Sequence, residues 1–122
     1  MQEHHIDIAT DEGTMGTYIA HPEGGTSLPV VLFFMDAPGK RELLHSMART
    51  IASHGYYVML PNLYYRSTPA FELDFASKES FEQMRGLMMA MSNKMVSRDA
   101  TSLLAYAKEQ TAADENTVGI VG

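Results

Sequence analysis

Pro29-Val30-Val31-Leu32-Phe33-Phe34-Met35-Asp36-Ala37-Pro38-Gly39 decides how the chain is read. Pro29–Met35 is an uninterrupted apolar run, rich in β-branched and aromatic residues. Its length suits a strand buried on both faces, as in a parallel sheet. Asp36-Ala37-Pro38-Gly39 breaks the run with turn residues. Beyond it, Leu43, Leu44, Met47, Ala48 and Ile51 recur three or four apart, which predicts a helix burying that stripe. Gly55 stands where a helix end favours a left-handed residue. Tyr56-Tyr57-Val58-Met59-Leu60 reads as a second buried strand, stopped by Pro61. Strand, turn, helix, strand is a βαβ unit, and its crossover is expected to be right-handed. Open α/β sheets form sites at the carboxyl ends of their strands, so Asp36–Gly39 and Pro61–Arg66 are where chemistry is expected.

Upstream, Ile6 and Ile8, then Met15, Tyr18, Ile19 and Ala20, flank the turn cluster Asp11-Glu12-Gly13. This predicts a hairpin of His4–Ala9 and Thr14–His21. Downstream, Asn62 to Lys78 has no clear period and reads as a long loop over the sheet's carboxyl edge, a length uncommon in loops without a function. Ser80, with Gln83 three residues on, predicts a capped helix Ser80–Met91. Ser92-Asn93 marks a break, and a further helix is expected from about Ser97 to Gln110, burying Ala100, Leu103, Leu104 and Ala107. Ala112–Asn116 reads as a connection and Thr117–Val121 as another buried strand. Such a strand needs a covering neighbour. The expectation is therefore a partial α/β domain over residues 1–122, the front part of a larger one, and association if these residues stand alone.

The 122 residues are 45% hydrophobic and 20% charged, a globular rather than disordered composition. The formal net charge of −6 disfavours nucleic acid and anionic membrane as partners. No apolar run reaches the ~18 residues of a membrane span. Met1-Gln2-Glu3-His4-His5 is too polar for a signal peptide, so a cytoplasmic location is the default expectation. There are no cysteines, which excludes disulfides and thiolate metal sites within these residues. Of the ten methionines, five lie in Met84–Met95, where they suit either adaptable core filling or a Met-lined groove. The sequence leaves the oligomeric state open.

Asp36 ends a buried strand, and Ala37 follows it with a backbone N–H that has no obvious partner. A carboxylate beside a free amide suits acid/base support or oxyanion binding, while the structural alternative is an N-cap for the following helix. Tyr64, Tyr65 and Arg66 follow the second strand. Two phenols and a guanidinium there can bind a carboxylate or an aromatic ester, or anchor a packed loop. Arg85 lies in the predicted helix Ser80–Met91, one position off its apolar stripe, as a solvated residue or a ligand. Gly39-Lys40 is not a phosphate loop, because Phe34 stands where the first glycine belongs and Arg41 where Ser or Thr belongs. His4 and His5 point to opposite strand faces, and His45 and His54 are nine positions apart, so no metal site and no cofactor are expected.

Pro29–Ala37, the helix end Ser53-His54-Gly55-Tyr56-Tyr57-Val58, and Leu60-Pro61-Asn62-Leu63-Tyr64-Tyr65-Arg66 together resemble the dienelactone hydrolase family of the α/β-hydrolase superfamily. Val118-Gly119-Ile120-Val121-Gly122 looks like the strand entering that family's nucleophile elbow. The resemblance implies an α/β fold, the front half of an α/β-hydrolase, with an N-terminal hairpin followed by parallel strands and crossover helices. It implies a small-molecule ester or lactone as substrate. It matches Asp36 to the family's nucleophile-modulating carboxylate, Ala37 to the oxyanion-hole N–H, and Gly122 to the first glycine of Gly-x-Cys-x-Gly. The arginine that binds the substrate carboxylate in founding members falls at Phe81 when counted without gaps, with Arg85 one turn away. Tyr64, Arg66 and Arg85 are thus the substrate-binding candidates.

The expected function is ester or lactone hydrolysis through a nucleophile beyond Gly122, with residues 1–122 inactive alone. Cysteine is the expected nucleophile, because a carboxylate beside a thiol can accept its S–H and disfavour the thiolate, whereas beside a serine it has little to do. The alternatives are a non-catalytic α/β small-molecule-binding module, and a nucleotide-binding fold that the missing Gly-rich loop argues against.

Overall fold

The computed structural model describes residues 1–122. Five strands form one mixed sheet in the order β1-β2-β4-β3-β5. β1 (Gln2–Thr10) and β2 (Gly13–His21) are the predicted hairpin, in register from Gln2–His21 to Thr10–Gly13. β3 (Leu28–Phe33) lies parallel to β4 (Tyr57–Pro61) on one side and to β5 (Ala113–Val121) on the other. β2 joins β4 antiparallel. The central βαβ unit is therefore present, with α1 (Glu42–Ala52) as its helix.

The apolar run is buried on both faces, as its composition requires. Val30 and Leu32 pack with Ile8, Met15, Ile19 and Met59 against Leu103 and Ala107 of α3 (Asn93–Lys108). Val31 and Phe33 pack with Tyr18, Val58 and Leu60 against Leu44, Ala48 and Ala52 of α1. The buried stripe of α1 thus runs in steps of four through two alanines, which lets the helix lie close on the sheet. The predicted stripe was wider than this. Leu43 and Met47 face solvent, 58% and 46% exposed. Gly55 closes the helix at φ +96°, a left-handed conformation that favours glycine.

α2 (Lys78–Met89) starts before the expected Ser80, and its cap is Ser77, whose side chain accepts the Ser80 N–H at 3.1 Å. Ser80 instead uses its hydroxyl to accept the Asp74 N–H, so the predicted capping box does not form. Ser92 caps α3 by accepting the Met95 N–H, placing that helix's start at Asn93 rather than near Ser97. A third apolar cluster of Tyr64, Phe71, Leu73 and Leu87 lies where the long loop meets α2.

β5 takes in the expected connection Ala112–Asn116 almost entirely, with an irregularity where its pairing with Pro29 and Val30 shifts from Asp114 to Val118. It is the sheet's edge. Its end is not buried as its composition predicts: Val118, Ile120 and Val121 are 39%, 65% and 44% exposed. No helix is long and apolar enough to cross a membrane.

Candidate functional site

Parallel strands β3 and β5 run side by side to the carboxyl edge, where Phe34 N–H donates to Val121 O at 2.8 Å. Gly122 lies against Phe34, since a Cβ added there would stand 3.3 Å from the Phe34 Cβ. The chain leaving β3 and the chain leaving β5 therefore emerge together. This is the place an α/β sheet offers for chemistry.

The turn after β3 is held from several directions. Gly39 N–H donates to Asp36 O at 3.0 Å, closing Asp36–Gly39 as a tight turn. The Tyr64 hydroxyl donates to Ala37 O at 3.0 Å, and Leu73 N–H donates to Pro38 O at 2.9 Å. Gly39 has φ +97°, and a Cβ there would stand 2.1 Å from the Phe71 carbonyl oxygen. Only glycine lets the loop from Asn62 to Ser77 close so tightly on this turn. Within it the Ala37 N–H has no hydrogen-bond partner. A fixed, unpaired backbone donor at a carboxyl edge is the raw material of an oxyanion site.

Asp36 neither caps α1 nor stands free. Arg41 occupies the N-cap position without a side-chain cap bond, and its guanidinium grips Asp36 with both nitrogens, at 2.5 Å to Oδ1 and 3.2 Å to Oδ2. Arg41 Nη1 also donates to Gly39 O at 2.9 Å. The Asp36 side chain remains about half exposed, while Arg41 is largely covered. Asp36 raises the pKa of the Arg41 guanidinium above its ordinary range, mainly through their hydrogen bond. Sequence reasoning missed this pair, although an Arg five residues after an Asp across a Pro-Gly turn was the available signal.

Tyr64 is placed by Asn62, whose Oδ1 accepts the Tyr64 N–H at 3.0 Å and whose Nδ2 donates to Thr68 O and Pro69 O. Burial, and then the Asp36 charge, push the Tyr64 phenol above its ordinary pKa, so it stays a donor at neutral pH. Met35, Asp36, Ala37, Leu63, Tyr64, Met88 and Met91 line an open pocket of about 240 Å³ here. Met88 and Met91 in its wall bring part of the methionine cluster to the site.

Asp36, Ala37 and Tyr64 thus share one pocket, and Gly122 lies against Phe34 at the same sheet edge. Arg66 does not join them. Its Nη1 and Nη2 donate to Asp99 at 3.0 and 2.8 Å, its Nε to Glu12, and its guanidinium stacks on Tyr65. Tyr65 also donates to Asp99, at 2.8 Å, and Asp99 is 1% exposed. This network fastens the β1–β2 turn to α3. Arg85 is exposed on α2 and lines none of the described pockets, and Phe81 is 42% exposed. No cluster of three metal-binding side chains is present.

The profile of the dienelactone hydrolase family matches residues 15–122. A curated relative from Synechocystis, named "Putative carboxymethylenebutenolidase", is 27% identical over 117 residues, covering 96% of this chain and 47% of the relative. The crystal structure of a "Putative Dienelactone Hydrolase" from Klebsiella pneumoniae superposes with a TM-score of 0.80 at 21% identity, over 98% of this chain and 48% of that one. A dienelactone hydrolase-like promiscuous phosphotriesterase from metagenomic libraries superposes with a TM-score of 0.73 at 21% identity, over 98% and 47%. The fold is that of the α/β-hydrolases, and the chain spans about half the length of the relatives it matches.

Proposed function

The chain belongs to the dienelactone hydrolase family, and from that premise we propose that the whole protein hydrolyses carboxylic ester or lactone bonds, residues 1–122 supplying one wall of its active site. The observation that carries this is the unpaired Ala37 N–H, fixed by the Tyr64 bond beside the end of β5. In this reading a nucleophile two residues after Gly122 attacks the carbonyl carbon, and the Ala37 N–H donates to the oxygen as it becomes an oxyanion. The pocket walls of Met35, Leu63, Met88 and Met91 receive an apolar part of a small ester or lactone.

The nucleophile in this proposal is cysteine, and Asp36 is the carboxylate that favours its thiol form at rest. The bidentate Arg41 grip limits how much of the Asp36 charge the sulfur senses. The acid and histidine that complete the reaction are proposed to come from outside residues 1–122, so this segment alone does not turn over. Arg85 has no place in the pocket as it stands, and Arg66 is bound elsewhere, so Tyr64 is the substrate-side residue of this wall.

The test is aryl-ester hydrolysis by the whole protein and by Ala37→Pro, which removes the donor. The expected loss in kcat is about 10²–10³-fold, as for an oxyanion donor. Unchanged kcat in a variant with wild-type circular dichroism overturns the role of Ala37. A second reading, a non-catalytic small-molecule-binding module, draws on the methionine-lined pocket. It predicts no Cys or Ser two residues past Gly122 and no turnover by the whole protein.

A further inference from the structure

A second cavity, of about 340 Å³, shares no lining residue with the Ala37 pocket. Lys40, Asp7, Ala70 and Phe71 are among its walls. Lys40 is half-buried and makes no ion pair; its side-chain partner is His45 Nε2 at 3.2 Å. An ammonium can only donate, so Nε2 presents its lone pair and the ring proton sits on Nδ1. From there it points to Glu42 Oε2 at 3.4 Å. The ring is held against Tyr18, centroids 4.4 Å apart, and edge-on to His5 at 5.5 Å. Amine, imidazole and carboxylate thus stand in the order of an activated nucleophile, its base and the group that orients the base.

We propose that Lys40, activated by the Glu42–His45 pair, is a nucleophilic amine that condenses with small uncharged aldehydes or ketones entering this cavity. His45 Nε2 takes a proton from the ammonium, and the freed nitrogen attacks the carbonyl carbon. The N–C bond forms, the C–O π bond breaks, and a proton passes from the nitrogen to that oxygen to give a carbinolamine. A second proton, returned by His45, lets that oxygen leave as water. The sum is ammonium plus carbonyl giving a protonated Schiff base plus water, with no oxidant or reductant. Burial lowers the pKa of the Lys40 ammonium, which favours release of its proton. The Asp7 carboxylate in the same cavity turns away anionic carbonyl compounds.

The chain's other lysines, Lys78, Lys94 and Lys108, are all exposed and serve as internal references. The experiment treats the whole protein with benzaldehyde and cyanoborohydride at pH 7 and follows each lysine by peptide mapping. Lys40 is expected to be alkylated at least about tenfold faster than the three references. His45→Gln is expected to bring it down to their rate, and Glu42→Gln to slow it several-fold. Labelling of Lys40 at or below the rate of the exposed lysines overturns the proposal, and this comparison needs no variant. Undiminished Lys40 labelling in both His45→Gln and Glu42→Gln overturns the assigned activation.

Discussion

The Tyr64 hydroxyl donates to the Ala37 carbonyl oxygen at 3.0 Å, tying the loop after β4 to the turn after β3. The Ala37 N–H lies one peptide back, where the Gly39 bond to Asp36 O also acts, so the Tyr64 tie is one of the bonds that set the direction of this free donor. Tyr64→Phe keeps the packing against Phe71 and removes the tie. In the whole protein it is expected to lower kcat for an aryl ester about tenfold, the equivalent of ~1.4 kcal/mol. KM should change less, because the lost interaction matters most when the oxyanion forms. Steady-state kinetics on the pair decides it, and an unchanged kcat leaves Tyr64 a packing residue.

Gly39→Ala should be costly in a way that Gly24→Ala is not. Both glycines have positive φ, +97° and +70°, and so share a left-handed strain of about 1–2 kcal/mol for a side chain. At Gly24 nothing lies within 4 Å of the new methyl, whereas at Gly39 it meets the Phe71 carbonyl oxygen at 2.1 Å. The loop must then lift from the turn. Urea unfolding should place Gly39→Ala at least ~2 kcal/mol below Gly24→Ala, within the range of severe point substitutions.

Asp99 is the buried centre of the Arg66–Tyr65–Glu12 network. Asp99→Ala leaves Arg66 covered and half-paired, so a loss of about 3–5 kcal/mol is expected by chemical denaturation. Replacing both partners, as Asp99→Leu with Arg66→Met, should recover much of it, since no buried charge is left stranded and Glu12 keeps Arg98 at 3.2 Å. If Arg66 instead binds substrate, Arg66→Met raises KM for an ester in the whole protein. The geometry predicts that KM stays unchanged.

Stability should fall on both sides of neutral pH. Glu3 is held below the ordinary value of 4.5 chiefly by the Tyr18 hydroxyl, Glu12 by Arg66 and Glu42 by Arg49. Their contribution is present above pH 4.5 and is lost as pH falls through their lowered values. On the alkaline side burial raises Tyr57, Tyr64 and Tyr65, and pushes Tyr18 up to about 12 with help from Glu3. The unfolded chain releases these protons near pH 10, so it binds fewer protons than the folded one, and stability drops from there upward. Thermal melts between pH 3 and 11.5 test both limbs, and Tyr57→Phe should flatten the alkaline one.

The architecture was legible because it depends on runs of residues. Pro29–Met35 and Tyr56–Leu60 are apolar throughout, and such runs suit strands covered on both faces. Details that depend on which side of an element meets its neighbour were not. Leu43 and Met47 share a helical stripe with Leu44 and Ala48, yet α1 lies down on Leu44, Ala48 and Ala52 and turns Leu43 and Met47 outward. Ser77 and Ser80 are equally good caps by composition, and the Asp74 N–H decides between them by engaging Ser80. At the site, Asp36, Ala37 and Tyr64 were legible from their place after strands. Arg66 stands in the same kind of place but is drawn away by Asp99, thirty-three residues later. Nothing in the local sequence reports a pairing at that distance.

Asp36 and Arg41 are expected to act in opposite directions on one thiol. The proposal places a cysteine two residues after Gly122, and reading that residue settles its identity. A carboxylate near a thiol raises its pKa, and a guanidinium that pairs with the carboxylate reduces the effect. Asp36→Asn removes the charge and should lower the pKa of the cysteine. Arg41→Met releases the carboxylate from its two hydrogen bonds and should raise it, because the full charge then faces the sulfur. Arg41 also donates to Gly39 O, so Arg41→Met is checked for stability loss by a thermal melt. The measurement is the pH dependence of alkylation by iodoacetamide in the whole protein and the two variants. Opposite shifts identify Asp36 as the modulating carboxylate and Arg41 as the residue that positions it. Shifts of the same sign, or none, show that the pair only closes the turn that carries Ala37.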